Sequence, residues 1–255
     1  MQLIDTHTHL YLPEFDTDRD EVVNRAVSSG IVKMLMPNID IHSVDKMIAT
    51  ENRYRDICFP MIGLHPTSVR EDYLFQLGKL EDLNTQHKFI AVGEIGIDLY
   101  RDKTFINEQI IAFRRQISFA IDNGLPVVIH SRESSPEVFS VLDEFTGKGL
   151  KGVFHAFTGN IKEAEKALSM GFKLGIGGIV TFKNSRLDNI VKMTGPQNLV
   201  LETDSPYLAP VPHRGKRNES SYICLINKKL AGIFGMSETE VASVTFASSA
   251  GLFNL

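Results

Sequence analysis

The sequence predicts an α/β fold in which eight parallel strands alternate with helices and close into one distorted (β/α)8 barrel over residues 1–255. Short β-branched or apolar runs alternate with segments of helical period along the chain, which is typical of βαβ units. These runs number eight, whereas an open doubly wound sheet, the alternative arrangement, more often has about five or six strands. The length of 255 residues is also ordinary for a single barrel of this kind.

Each predicted strand is a short run of mainly β-branched or apolar residues. In chain order, these strands cover residues 3–7, 31–37, 58–65, 89–94, 126–130, 151–155, 172–178 and 199–204. The first strand leads into THTHL and not into the G-x-G-x-x-G turn of dinucleotide-binding folds. The sequence therefore argues against the usual dinucleotide site.

The predicted helices lie between the strands and carry recognisable ends. The longest covers residues 106–124, where apolar side chains recur at three- and four-residue steps and Gly124 ends the pattern. A second covers residues 18–30, and a third covers residues 160–171 with Asn160 as its N-cap. The pattern around residues 184–194 leaves the assignment open.

The composition is that of a globular protein with a sizeable core, since 43% of the residues are hydrophobic and 23% are charged. A net charge of −4 argues against a broad basic surface that holds nucleic acid, so any site for a polyanion must be local. Cys58 and Cys224 are too few for a disulfide framework and too far apart for a C-x-x-C metal site.

The chain shows no sign of export or of membrane insertion. Asp5, His7 and His9 interrupt the first apolar run, which argues against a secretory signal. The longest weakly polar stretch, residues 172–182, is about half the length that a membrane-spanning helix needs. We therefore expect a cytoplasmic protein with no membrane association.

Potential metal ligands stand at the ends of six of the eight predicted strands. Active sites of (β/α)8 barrels lie at the C-terminal ends of the strands, so these side chains should meet at one mouth. They are His7 and His9, His65, Glu94, His130, His155 and Asp204. Taken singly, a strand-end histidine is more often a hydrogen-bonded structural residue, but six strand ends together favour a metal site.

The chemistry of this set indicates divalent ions. Imidazoles and carboxylates without thiolates suit Zn²⁺, Mn²⁺ or Mg²⁺, and five or six ligands exceed what one tetrahedral ion needs. Two ions fit better, because a carboxylate such as Glu94 can bridge them and two-metal sites of this kind carry out hydrolysis.

Six segments carry a resemblance to a known family. They are IDTHTHL, IGLHP, VGEIGID, LPVVIHSR, HAFTG and LETDSPYLAPVPHRGKRNES, and together they extend over almost the whole chain. In these segments the sequence resembles the TatD-related metal-dependent deoxyribonucleases, a branch of the amidohydrolase-like barrels. The resemblance implies a barrel hydrolase that uses divalent metal to cut phosphodiester bonds, often as an exonuclease at DNA ends.

The resemblance also implies a role for each ligand. The metal ligands would be His7, His9, Glu94, His130, His155 and Asp204. Glu94 would bridge two ions, with His7, His9 and Asp204 on one side and His130 and His155 on the other. Asp204 would also orient or deprotonate the nucleophilic water, so Glu94 and Asp204 are the predicted catalytic residues. His65 resembles a phosphate contact, with simple packing as the alternative.

Cationic and aromatic residues near the strand ends are candidates for substrate binding. Residues 213–218, HRGKRN, place Arg214 and Arg217 just beyond Asp204, and Arg132 follows the fifth strand. These arginines could position phosphates or form a solvated surface. Tyr100, Phe157 and Tyr207 could stack on an exposed base or pack within loops.

Three classes of function follow. The first is a nuclease that acts on DNA, with RNA not excluded. The second is a barrel hydrolase of an ester, lactone or amide, including an aminoacyl ester on RNA. The third is a metal-binding protein without turnover. The basic mouth favours the first class, the full ligand set disfavours the third, and no class implies an obligate protein partner.

Overall fold

The computed structural model describes residues 1–100 and 102–255, in which eight strands and nine α-helices are present. The strands are β1 (Leu3–Asp5), β2 (Ile31–Met36), β3 (Cys58–Pro60), β4 (Val92–Asp98), β5 (Val127–Arg132), β6 (Gly152–Phe154), β7 (Phe172–Ile176) and β8 (Leu199–Leu201). The helices are α1 (Arg19–Ser28), α2 (Val44–Arg53), α3 (Tyr73–Leu83), α4 (Ile106–Asp122), α5 (Ser135–Asp143), α6 (Ile161–Ser169), α7 (Leu187–Thr194), α8 (Ile223–Phe234) and α9 (Glu238–Phe253).

The strands form a ring of parallel neighbours. Strands β1 to β3 pair in chain order, as do β4 to β8. Two parallel bridges join these groups: Thr8 pairs with Ser205 between β1 and β8, and Ile62 pairs with Val92 between β3 and β4. Since both seams are bridged, the predicted barrel is confirmed and the open sheet is excluded.

The observed strands are mostly shorter than predicted, and β4 is displaced. The prediction ended this strand at Glu94, but the structure continues it to Asp98. Glu94 therefore lies inside the strand. Gly96 permits the extension, because a Cβ at this position would lie only 2.0 Å from the carbonyl oxygen of His130 on β5.

Two apolar layers hold the barrel together. The outer layer packs the strands against the surrounding helices. The inner layer takes buried residues from most strands and their flanks, together with two residues from the end of α9: Ile4, Leu35, Met61, Ala91, Val128, Val153, Val200, Leu252 and Phe253. Helix α9 therefore closes the end of the barrel opposite to the mouth.

The helix predictions agree with the structure. Helices α1, α4 and α6 occupy the three predicted segments, and Asn160 caps α6 by accepting a hydrogen bond from the backbone N–H of Glu163 at 3.1 Å. Helix α7 occupies most of the segment around 184–194 that the sequence left open. No helix among the described residues has the length and apolar character that crossing a membrane requires.

Candidate active site

The site is built around Glu94, which is buried in β4 and directs its two carboxylate oxygens at different imidazoles. Its Oε2 lies 3.1 Å from Nε2 of His7 and 3.8 Å from Nε2 of His9. Its Oε1 lies 2.7 Å from Nδ1 of His130 and 3.7 Å from Nε2 of His155. One buried carboxylate thus separates two pairs of histidines.

Asp204 approaches the same cluster from the segment after β8. Its Oδ1 lies 3.7 Å from Nε2 of both His7 and His9, and 3.8 Å from Nε2 of His155. A second carboxylate, Asp5, holds this segment to the end of β1 by accepting hydrogen bonds from the backbone N–H and the hydroxyl of Thr203. The ends of β1 and β8 therefore fix Asp204 relative to the histidines.

Three of the histidines have a hydroxyl or carboxylate within 3.0 Å of the ring nitrogen that faces away from Glu94, and for His9 and His130 this contact is a hydrogen bond. His9 places Nδ1 3.0 Å from the hydroxyl of Tyr11, which donates its own proton to the carbonyl of Pro37. His130 places Nε2 2.9 Å from Asp98, and His155 places Nδ1 3.0 Å from Glu202. His9 therefore donates outwards and keeps a lone pair directed at the cluster, as metal-binding histidines do, and the carboxylates beside His130 and His155 orient those two rings in the same way.

His65 differs from these three rings. Its Nε2 lies 3.4 Å from Oε1 of Glu94, so by distance it belongs to the cluster. Its Nδ1, however, accepts a hydrogen bond from the backbone N–H of Thr67 at 3.1 Å, which leaves the ring proton on Nε2. This nitrogen is then a donor towards the cavity, which suits a phosphate oxygen better than a cation.

Burial and neighbouring charges shift the pKa values of the cluster in opposite directions. Burial lowers the pKa of His9 to about 4, and burial with the nearby His155 lowers the pKa of His7 well below its usual value. Burial alone would also lower the pKa values of His130 and His155. Hydrogen bonds to Asp98 and Glu94 nevertheless raise the pKa of His130 to about 9, and the charges of Glu202 and Glu94 raise the pKa of His155 to about 10. His7 and His9 are therefore neutral at pH 7, whereas His130 and His155 carry protons that a cation would displace.

The pKa values of Glu94 and Asp204 are also shifted in opposite directions. Burial alone would raise the pKa of Glu94, but His65, His155 and His7 hold it well below its usual value. Burial raises the pKa of Asp204 to about 7. Glu94 is therefore a fixed negative charge, whereas Asp204 can exchange a proton near neutral pH.

The donor atoms fit divalent ions. Two ligand atoms that each bind one ion at ~2.1 Å in tetrahedral geometry lie ~3.4 Å apart. The separations among His7, His9 and Glu94 are 3.1, 3.3 and 3.8 Å. His7, His155 and Asp204 form another group whose ligand atoms converge. A third group is formed by His65, Glu94 and His130, so the convergent groups include the six predicted ligands together with His65.

Sequence reasoning missed three residues of the site. Asp98 and Glu202 hold the rings of His130 and His155, as described above, and Arg70 lines the cavity. The first two had a signal, because the motifs VGEIGID and LETD each contain a second carboxylate two or four residues from a predicted ligand. Arg70 had none, since it lies in a loop five residues beyond His65.

A cavity of about 660 Å³ opens above the cluster. The predicted substrate residues His65 and Arg132 line it, together with Arg70, Tyr100 and Tyr207. The guanidinium of Arg132 lies over the ring of Tyr100, 3.9 Å from its centroid. The mouth is therefore lined by two cations and two aromatic rings.

Arg214 and Arg217 are not among the residues that line this cavity. Arg217 donates hydrogen bonds to both oxygens of Asp18, at 2.7 and 2.6 Å, and Arg214 lies over the ring of Phe182. A role for these two arginines in substrate binding stays a prediction, but carboxylate and aromatic neighbours outside the cavity hold both side chains in this structure.

The segment that carries Arg217 has a structural part in the site instead. Asn218, which follows it, is buried and donates hydrogen bonds to the carbonyls of Thr203 and Tyr207, both at 2.7 Å. These bonds hold the turn on which Asp204 stands. The fold and the cluster together define the class of metal-dependent barrel hydrolases.

Comparison with known proteins identifies the family within this class. Residues 4–254 match the family model for TatD related DNase. The chain is 34% identical over 254 residues to YabD of Bacillus subtilis, an uncharacterised metal-dependent hydrolase, with 99% of each chain covered. It is 29% identical to the 3′-5′ ssDNA/RNA exonuclease TatD of Erwinia tasmaniensis over 259 residues, which covers 99% of this chain and 100% of that one.

A solved structure agrees with these sequence matches. The crystal structure of the TatD homologue YJJV from Escherichia coli superposes with a TM-score of 0.93 at 26% identity, covering 99% of this chain and 98% of that one. The chain therefore belongs to the TatD-related DNase family. The family prediction made from the six sequence segments is confirmed.

Proposed function

We propose that this protein hydrolyses phosphodiester bonds at the ends of single-stranded nucleic acid, and that His7, His9, Glu94, His130, His155 and Asp204 would hold two divalent ions. The observation that carries the proposal is the division of the two Glu94 oxygens between the pair His7 and His9 and the pair His130 and His155. Divalent ions held in this way supply Lewis acidity and positive charge for the attack of water on phosphorus.

The side chains of the cluster provide the proton and the substrate contacts. Asp204 faces the cavity with an exposed edge and accepts the proton of the attacking water, since its Oδ1 is directed at the cluster. His65 donates through Nε2 to an oxygen of the scissile phosphate. Because Glu94 is buried, its charge acts on the neighbouring groups through surroundings less polar than bulk water, which strengthens those interactions.

The lining of the cavity favours nucleic acid over a small neutral ester. Arg70 and Arg132 place guanidinium groups at the mouth, and arginine binds phosphate oxygens with two parallel hydrogen bonds. A volume of about 660 Å³ accepts a terminal nucleotide with its neighbouring phosphate. Relatives of this chain include the exonuclease TatD of Erwinia tasmaniensis, whose name specifies ssDNA and RNA.

The test uses chelator-stripped protein that is reloaded separately with Mg²⁺, Mn²⁺ or Zn²⁺. The substrates are labelled single-stranded and duplex DNA, labelled RNA, an aminoacyl ester on RNA and a small ester and amide panel. We expect stepwise shortening of single strands by reloaded protein and none by stripped protein. Asp204→Asn should lower kcat by about 100-fold to 10,000-fold with little change in KM.

Asp188→Asn is the matched control, because Asp188 is exposed and pairs with Lys229 outside the cavity. Shortening by thoroughly stripped protein would exclude the metal mechanism. Turnover of an ester, amide or aminoacyl ester without any oligonucleotide cleavage would instead place the protein in the rival class of hydrolases.

A further inference from the structure

The two walls of the cavity differ in chemistry. Arg70 follows β3, Tyr100 follows β4 and Arg132 ends β5, and all three line the cavity. Tyr207 and Leu208 follow β8 and line it from another side. Because β8 and β1 lie across an eight-stranded ring from β4 and β5, one wall is cationic and the facing wall is aromatic and apolar.

The cations of the first wall are available to a ligand. Among residues 1–100 and 102–255, no carboxylate forms a salt bridge with Arg70 or Arg132, whereas Arg114, Arg115 and Arg217 each have one. The guanidinium carbon of Arg132 lies 3.9 Å from the centroid of the Tyr100 ring, and stacking on an aromatic ring is compatible with hydrogen bonds from the guanidinium to phosphate oxygens. Asp102 also lines this wall, so its charge is mixed, and Arg70 donates one hydrogen bond to the carbonyl of Val69, but among the described residues neither arginine is held in a salt bridge.

The second wall is an exposed apolar platform on a rigid turn. Tyr207 is 48% exposed and Leu208 is 38% exposed. The bond from buried Asn218 to the carbonyl of Tyr207 fixes the turn, and Leu208 has a φ of 52°, a conformation that a bulky residue rarely adopts. A phosphate placed here would meet the carboxylate of Asp204 and no arginine that lines the cavity.

We infer that the cavity binds its substrate in one orientation. The terminal nucleoside stacks on Tyr207 and Leu208, and Arg132 and Arg70 hold the phosphate that lies one nucleotide inward from the scissile phosphate. This inference rests on the proposed function. It implies that the enzyme recognises an unpaired end, because a base in a duplex has neither face available to Tyr207. Tyr207 and Arg132 are then specificity residues at opposite ends of the scissile group.

The test pairs each variant with a matching change in the substrate. A labelled single-stranded decanucleotide is prepared in three forms. One is unmodified, one is abasic at the terminal residue that the enzyme removes, and one carries a neutral methylphosphonate in place of the phosphate that lies one nucleotide inward from the scissile phosphate. Tyr207→Ala should lower kcat/KM on the unmodified strand about tenfold and on the abasic strand less than twofold. Arg132→Gln should lower kcat/KM about tenfold on the unmodified strand and less than twofold on the methylphosphonate strand.

Two further variants separate binding from folding. Tyr207→Phe keeps the ring and should recover most of the kcat/KM that Tyr207→Ala loses, and Arg114→Gln removes an exposed, paired arginine outside the cavity and should change nothing. The orientation would be the reverse, and the inference overturned, if the effect of Tyr207→Ala disappeared on the methylphosphonate strand and the effect of Arg132→Gln disappeared on the abasic strand. The inference would also be overturned if each variant lowered kcat/KM by the same factor on all three strands. Failure of the metal-loaded wild type to cleave any oligonucleotide would count against the proposed function, not against the orientation alone.

Discussion

The two ends of the barrel use the same strands for opposite purposes. At the closed end, β1, β2, β5, β6 and β8 contribute Ile4, Leu35, Val128, Val153 and Val200 to an apolar layer sealed by α9. At the mouth, β4 and the ends of β1, β6 and β8 or the segments after them present buried imidazoles and carboxylates. Apolar burial stabilises the fold, whereas buried charges cost free energy unless they are paired.

This contrast teaches that stability and chemistry occupy separate layers of one scaffold. The mouth offsets its cost by pairing every proton-bearing ring with a carboxylate, as in the contact of His130 with Asp98. A change at the mouth should therefore alter metal binding and activity, and a change at the closed end should alter folding. Four experiments test that separation.

The largest expected effect comes from Glu94→Gln, which keeps the shape of the side chain and removes its charge. We expect kcat to fall about a thousandfold or more, since charge stabilisation by bound metal is worth several kcal/mol. The rise in Tm on adding metal should also disappear, because a ligand that binds only the folded state stabilises it. Metal content, kcat and Tm with and without metal measure these effects.

Glu81→Gln is the control for this variant, because it makes the same change in a partly exposed ion pair with Arg115 that does not line the cavity. An ordinary kcat and an unchanged metal content in Glu94→Gln would show that Glu94 does not bridge the ions.

The next effect lies at the closed end. Leu35 is fully buried in the inner layer, so Leu35→Ala should lower the free energy of unfolding by about 2–5 kcal/mol. Metal content and kcat of the folded protein should stay unchanged. Urea denaturation measures the stability, and Leu74→Ala, the same change at a 53% exposed position, should have little effect. A loss of metal in Leu35→Ala would contradict the separation of the two layers.

A smaller effect is expected from the residues that orient the ligands. Glu202→Gln removes the carboxylate beside Nδ1 of His155. We expect the affinity for metal to fall about 10-fold to 100-fold, which is typical when the outer partner of a ligating histidine is lost. Saturating metal should restore most of kcat, which distinguishes a positioning residue from a catalytic one. If saturating metal restored nothing, Glu202 would have a direct part in the reaction.

The smallest effect should come from Arg217→Gln. The pair with Asp18 is partly exposed, so its loss should cost less than about 1 kcal/mol of stability. Because Arg217 does not line the cavity, the dependence of oligonucleotide binding on salt should be unchanged. Arg132→Gln should instead reduce the slope of log K against log salt concentration by about 0.7. If Arg217→Gln also reduced the slope of log K against log salt concentration, Arg217 would be shown to contact the phosphates of the substrate.

Much of the molecule follows from the sequence by itself. The alternation of strands and helices depends on periodicities of about 2 and 3.6 residues, which are local, so all eight strands and the cap at Asn160 could be predicted. The six candidate ligands could also be predicted, because parallel strands in a barrel bring their C-terminal ends to one mouth whatever their separation in the chain.

Only the tertiary structure decided which groups face each other. The end of β4 depends on the close approach of Gly96 to β5, and the proton on His65 depends on the backbone of Thr67. Sequence proximity to Asp204 suggested Arg217 as a phosphate ligand, but Asp18, almost 200 positions away, holds it in an ion pair. Charges act through space over a few ångströms, and their distances along the chain do not determine those contacts.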